Sequence, residues 1–303
     1  MAVNVEMWRP DIIESLFKAN PHILYAVNAD EYVVGGSIVH IPQAGTPSEV
    51  ERNRTVLPGI ILKRTDSEIL YPLEEYTTNP RLITDIDKKE LSYDKRQSVI
   101  REDAGNLMEF IGSDLLYKWA VNVPAANKIV STGSTSHTAT APGATGTRKD
   151  VIEADLRAAM VQLDRANVPR DGRYMACTPE AVSQLMNDDK LKYAFQNPVN
   201  LQEGIIAKLW TFNILVRSTV VVQSNGGTSG TVKLPEAATA TSDDVALLFW
   251  QQDMVERAMG SVEIFDNPRR AEYYGDVISF LVRMGGRNRR SDNKGVGLIV
   301  LSD

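Results

Sequence analysis

The sequence predicts an α+β fold built from a long helix, an extended β excursion and a set of late strands. Three observations carry that expectation. Helical and β-rich patterns follow one another without the regular βαβ alternation of a doubly wound sheet. One helical periodicity runs over residues 88–121, far beyond the three turns of an average helix. Residues 32–86 hold short β-rich runs broken by proline and glycine, with no core partner nearby in sequence.

Taken in chain order, Trp8, Ile12, Ile13, Leu16 and Phe17 recur at helical spacing over 8–20. Pro10 suits a first turn, where no amide hydrogen is needed, and Asn20-Pro21 is the stop. Val33-Val34, Ile38-Val39-His40-Ile41, Ile60-Ile61-Leu62 and Ile69-Leu70-Tyr71 are the β-rich runs that follow. Residues 43–55 between them are polar and turn-rich, so the stretch reads as a two-stranded arm. An isolated hairpin is marginal in water, and this one needs a surface to lie on.

In the long helix, Ile100, Ala104, Leu107, Met108, Ile111, Leu115 and Trp119 recur at steps of three and four. Asp87 with Glu90 forms an Asp variant of the capping box, and Pro124 is the stop. The helix would be a rod of about 50 Å. Gly105 and Gly112 each cost about 1 kcal/mol in a helix interior, which predicts another backbone packed against them. Residues 131–147 contain only Ser, Thr, Gly, Ala, Pro and one His, the composition of a flexible surface loop or linker.

A second helix is predicted over 149–166, with Ile152, Leu156, Ala159, Met160 and Leu163 on one face. A strand at 174–177 leads to Thr178-Pro179, an N-cap followed by proline at the first helical position. Ile214-Leu215-Val216 and Val220-Val221-Val222 are β-rich, 224–244 reads as a loose loop, and strands are predicted near 245–250, 262–265, 277–284 and 296–301.

The composition, 43% hydrophobic and 24% charged, is that of a globular chain able to bury a core without disulfides. The net charge of −6 argues against wrapping nucleic acid, because neutralising phosphates needs Lys and Arg. Enclosing nucleic acid at a distance is left open. Cys177 is the one cysteine, so no intramolecular disulfide forms and a reducing cytoplasm fits. No apolar run approaches ~18 residues, so no membrane helix is expected. Glu6, Arg9 and Asp11 stand where an export signal needs an apolar core.

Reactive residues are sparse. His22, His40 and His137 are the only histidines, and no paired Cys/His spacing or His-Glu-x-x-His motif occurs. His137 falls in the Ser/Thr-rich stretch, where nothing in the sequence holds it for catalysis. Cys177 reads as a buried small hydrophobe. Residues 143–149 lack phosphate-loop spacing, 225–230 read as a turn, and Asp87 is better explained as a cap than as a metal ligand beside Asp85. No cofactor, metal or catalytic residue is expected. Two basic clusters, Arg269-Arg270 and Arg287 with Arg289 and Arg290, have three readings: facing packaged DNA, bridging subunits, or plain solvated charge.

The order of elements resembles the major capsid proteins of tailed bacteriophages, with the Hong Kong 97-type fold. Tyr71-Pro72-Leu73-Glu74-Glu75-Tyr76-Thr77-Thr78-Asn79-Pro80 and Ile83-Thr84-Asp85-Ile86-Asp87 resemble the returning strand of that family's E-loop and its entry to the spine helix. Residues 156–186, with Val168-Pro169, Asp171-Gly172-Arg173 and Thr178-Pro179-Glu180, resemble a helix–turn–strand–helix segment of these proteins. Val245-Ala246-Leu247-Leu248-Phe249 with Asp253-Met254-Val255 and Ala258, and Tyr274-Gly275-Asp276 through Met284-Gly285, resemble the closing elements. Leu209-Trp210-Thr211-Phe212 departs from the pattern, since many relatives have glycine before the aromatic.

The resemblance implies an N-terminal arm over 1–31, an E-loop over 32–86, and a P domain over 87–168 with spine helix 88–121. It implies a mainly A-domain region over 169–245 and closing strands over 246–303 shared by both domains. It implies a non-enzymatic subunit that self-assembles into pentamers and hexamers of an icosahedral head. That head encloses double-stranded DNA with weak contact at most. Assembly would take place in the host cytoplasm, ending in the virion capsid, with a separate scaffolding protein, a portal and decoration proteins as partners and no membrane. No lysine occurs between Tyr32 and Leu62, so no covalent cross-link through the arm is expected. Interface candidates are Trp8, Arg52, Arg54, Arg269, Arg270, Arg287, Arg289 and Arg290. The alternatives are an encapsulin-like nanocompartment shell and, from another class, a cytoplasmic α+β enzyme or ligand-binding protein.

Overall fold

The computed structural model of the chain describes residues 16, 20–34, 37–45, 48–55, 57, 59, 61, 63–85, 95–188, 191, 205–224, 227–237 and 240–301. The expected helix over 8–20, apart from Leu16 and Asn20, lies outside them, as does the Asp87/Glu90 cap.

The first third of the chain gives β1 (Val27–Asn28), β2 (Val33–Val34), β3 (Ile38–Gln43), β4 (Ser67–Pro72), β5 (Glu74–Thr77) and β6 (Arg81–Thr84). Strand β3 turns Val39 and Ile41 inward and Ile38 and His40 outward, and β4 turns Ile69 and Tyr71 inward. That period of two sets the register, Ile38 opposite Pro72 through Gln43 opposite Ser67. Among the described residues of 44–66 no strand forms, so the run expected at 60–62 is not a strand at Ile61. Pro58 and Gly59 precede it and weaken a ladder there. The arm's base has a small core: Val39, Ile41, Ile69, Tyr71 and Leu73 pack with Ala29 and Ala258.

Helix α1 (Lys95–Ala120) follows, 26 residues and so about 39 Å long. Leu107, Met108, Ile111, Leu115, Leu116 and Trp119 are its buried stripe. Among the described residues the expected backbone is not what lies nearest these glycines. A Cβ on Gly105 would meet open space, and one on Gly112 would collide with the Asn20 and Arg217 side chains.

The rest of the chain supplies β7 (Lys128–Val130), β8 (Ser136–Thr138), β9 (Thr147–Lys149), α2 (Glu153–Arg165), β10 (Arg173–Cys177) and α3 (Pro179–Asn187). Then come β11 (Ile205–Leu209), β12 (Phe212–Val216), β13 (Val221–Gln223), β14 (Val232–Lys233), β15 (Asp244–Gln251), β16 (Val255–Arg270), β17 (Gly275–Asn288) and β18 (Val296–Val300). Thr178 caps α3 as its sequence predicts, its hydroxyl accepting from the Ala181 amide at 3.4 Å.

Two sheets organise these elements. The larger runs β11-β12-β10-β15-β13-β14, and β18 pairs with both β15 and β7. All eight residues of β15 are buried, the continuous run of a strand covered on both faces. Ala246, Leu248 and Trp250 face the α1 core, while Leu247 and Phe249 face the core beneath α2 and α3. The smaller sheet runs β1-β16-β17-β5, with β6 also on β17. Ile278, Phe280, Val282 and Met284 of β17 join the α1 core, so one helix braces both sheets.

The described residues of the two stretches read as loose loops form strands and side-chain anchors. Within 131–147, β8 and β9 pair, and Ala141 and Ala144 pack on Val222 and Val245. The anchor is Arg148, buried beside Asp244 at 3.0 Å. Within 224–244, β14 pairs with β13, and Lys233 meets Asp243 at 2.7 Å. Polar side chains hold both segments, and a reading of apolar periodicity has no signal for that.

Candidate assembly interface

The base of the arm is bound to the β16–β17 ribbon by polar groups from both. The Tyr71 hydroxyl donates to Glu256 at 3.0 Å, and Arg289 meets the other oxygen of that carboxylate at 3.1 Å. Burial raises the pKa of Glu256, and Tyr71 and Arg289 oppose that rise. Burial and the adjacent Glu256 in turn push the Tyr71 phenol upward, so it stays a donor. Arg287 donates to the Leu70 carbonyl at 3.0 Å, and the Gln43 amide bridges the Arg289 carbonyl and the Ser291 amide. Asp30 accepts from the Met259 amide at 2.7 Å and pairs with Arg257 at 3.3 Å.

Where the returning strand reaches α1, Tyr76 donates to Asp114, and Lys118 lies 3.1 Å from both Asp114 and Glu74. Lower on the same helix, Arg217 donates to the Asn20 side chain at 2.6 Å, to the Glu109 carbonyl at 2.7 Å and to the Ser113 hydroxyl at 3.0 Å. Asn20 donates to the Met108 carbonyl at 2.9 Å, and the missing side chain of Gly112 leaves room for this staple. Burial lowers the Arg217 pKa to about 10, so it remains a cation at neutral pH. An aromatic seam completes the junction. Tyr25 stacks on Tyr174 at 4.0 Å, and Trp119 lies 5.5 Å from Trp250, whose indole donates to the Tyr25 carbonyl.

Beyond the clamped base the surface changes. Val50, Leu57 and Ile61 are 99, 80 and 95% exposed. Arg54 pairs with Glu51, and among the described residues Arg52 makes no ion pair. At the other end of the ribbon, Arg269 and Arg270 are exposed beside Tyr273 and Tyr274, and among the described residues their side chains make no ion pair. The structure thus separates the two basic clusters. Arg269 and Arg270 face solvent, whereas Arg287, Arg289 and Arg290 have partners within the chain, the last on Asp292 at 2.8 Å. Trp8 lies outside the described residues.

Sequence reasoning gave no role to the side chains of Gln43, Tyr71, Glu256 and Arg217, which act through neighbours far away in sequence. It flagged the turn at Trp210 without its consequence. Leu209 pairs with Phe212, so Trp210 and Thr211 alone connect β11 to β12. Trp210 takes a φ of 54°, a left-handed conformation that glycine adopts freely, and Arg157 sits over its half-exposed ring.

The remaining reactive groups are held in place. Burial first, and the Arg217 charge second, lower His22 well below the ordinary histidine range. His40 meets Glu68 at 3.1 Å. His137, expected to be unsupported, meets Asp150 at 2.9 Å. Burial pushes the Cys177 thiol up to about 12, so it carries no thiolate near neutral pH. Among the described residues no cluster of three metal-binding side chains occurs, and no helix is long and apolar enough to cross a membrane.

No protein-family model and no curated protein matches the sequence. Solved structures do. A chain of Mycobacterium phage Che8 matches at 18% identity over 91% of this chain and 89% of that one, with a TM-score of 0.60. The capsid of Ralstonia phage GP4 matches at 10% identity over 91% and 86%, with a TM-score of 0.63. A virus-like particle from Pyrococcus furiosus matches at 11% identity over 98% and 99%, with a TM-score of 0.56. The fold is the Hong Kong 97-type capsid fold, α+β as the element order predicts.

Proposed function

We propose that this chain is a major capsid protein that assembles with copies of itself into pentamers and hexamers of an icosahedral head around double-stranded DNA. One observation carries the reading: a chain with a capsid fold presents Val50, Leu57 and Ile61 on an arm, outside every core cluster of its described residues. Apolar groups so placed suit an obligate interface, which buries thousands of Å² and resembles a core divided between partners. Copies related by rotation close into rings and let each arm lie on a neighbour.

In this reading residues 1–31 are the N-terminal arm, 32–86 the E-loop, 87–168 the P domain, 169–245 mainly the A domain, and 246–303 closing strands shared by both. Trp8, Arg52, Arg54, Arg269 and Arg270 contact neighbouring subunits. The net charge of −6 keeps contact with the enclosed DNA weak. The protein is structural rather than enzymatic, works with a separate scaffolding protein, a portal and decoration proteins, and passes from the host cytoplasm into the virion.

The test is the double variant Leu57→Ser with Ile61→Ser. Its stability stays within about 0.5 kcal/mol of the parent, as for surface changes generally, while shells vanish from electron micrographs. Normal shells from the variant would sink the proposed role of the arm. A nanocompartment holding protein cargo is the second reading, favoured by the match to the Pyrococcus furiosus particle across nearly all of both chains. Nucleic acid inside purified particles supports the first reading and a protein cargo the second.

A further inference from the structure

The side chains of Arg287, Arg289 and Arg290 have partners within their own chain. We propose that the segment from Gly285 to Ser291 is a socket that fixes the direction in which the arm leaves the body. The inference rests on the arm being the assembly element.

Four attachments define the socket. Arg287 holds the Leu70 carbonyl of β4 at 3.0 Å. Arg289 ties the carboxylate that receives the Tyr71 hydroxyl. The Gln43 side-chain amide donates to the Arg289 carbonyl and accepts from the Ser291 amide at 3.4 Å. In that position it takes the place of one more backbone unit and joins the end of β3 to the chain after β17. The fourth attachment is direct packing: a Cβ on Gly285 would come within 2.9 Å of the Pro72 carbonyl oxygen, so strand and arm meet without slack.

The socket is itself anchored. The Arg289 amide donates to the Met254 carbonyl at 2.9 Å, and Arg290 grips Asp292 through two nitrogens at 2.9 and 2.8 Å. The outer limit of the fixed part is marked where Asp66 accepts from the Gly45 amide at 2.9 Å. The base β3–β4 and the ribbon β16–β17 therefore move as one piece. The root of the arm is thus not a hinge.

Hydrogen exchange on the unassembled full-length chain tests this, using Gln43→Met, which removes the clip without changing charge, and Arg287→Ala. In the parent chain, amides paired in β3–β4 exchange as slowly as those of β16–β17. Loss of one such attachment is worth about 1 kcal/mol, so each variant speeds β3–β4 exchange roughly fivefold and leaves β10 and β15 unchanged. Parent β3–β4 amides exchanging as fast as residues 48–55 would overturn the proposal. So would a variant with unaltered β3–β4 exchange, whatever its effect on bound nucleic acid. Exchange is read before assembly, so failure of the chain to form shells is a separate result that bears on the capsid reading alone.

Discussion

Strands β15 and β16 are separated by a single short turn, yet they live in different worlds. Every residue of β15 is buried. Strand β16 begins with four buried residues and ends with four exposed ones, passing from the core into solvent along its length. The first strand satisfies its side chains on two internal faces. The second carries chain outward, with its start clamped to the arm and its last four residues exposed. The difference separates the part of the molecule that folds for itself from the part that, on the proposed reading, is shaped for contact.

If that division is right, substitutions in the larger sheet cost stability in proportion to burial. Trp250→Ala removes the ring at the centre of the aromatic seam and lowers unfolding free energy by about 4 kcal/mol, read by denaturant titration. A loss under 1 kcal/mol would erase the contrast between the strands. Arg148→Ala asks whether the polar segment 131–147 belongs to the same folded unit. It strands Asp244, whose pKa burial already raises, and costs about 3 kcal/mol. Protease sensitivity confined to 131–147, with global stability unchanged, would move that segment to the contact side. The smallest effect runs the other way. Trp210→Gly relieves the left-handed strain and gains about 0.5 kcal/mol after the entropy of glycine is counted. A loss instead would show that the ring's packing under Arg157 outweighs its backbone strain.

The class of fold was legible because α1, α2 and the buried strands write their periodicity in apolar residues. Leu107, Ile111, Leu115 and Trp119 announce a helix, and the run around Leu247 and Leu248 announces a strand buried on both faces. What escaped is held by polar groups whose partners are remote in sequence. Arg148 finds Asp244, Gln43 finds Arg289, and Arg217 finds Asn20. No local pattern encodes such pairs. The arginines near residue 289 were noticed as charge, but charge alone does not reveal that their partners lie within the same chain. Gly112 was noticed as a packing device, and the partner turned out to be a pair of polar side chains rather than a backbone.

The place of β18 has a consequence for how the protein is made. It lies between β15 and β7, pairing antiparallel with the first and parallel with the second. A ribosome releases chain from the N-terminus onward at roughly 5–20 residues per second. The arm therefore emerges early, whereas the larger sheet stays split until Val300 has emerged. A truncated chain has an arm with no finished body behind it. A chain cut short before Val296 lacks the strand that joins β7 to β15.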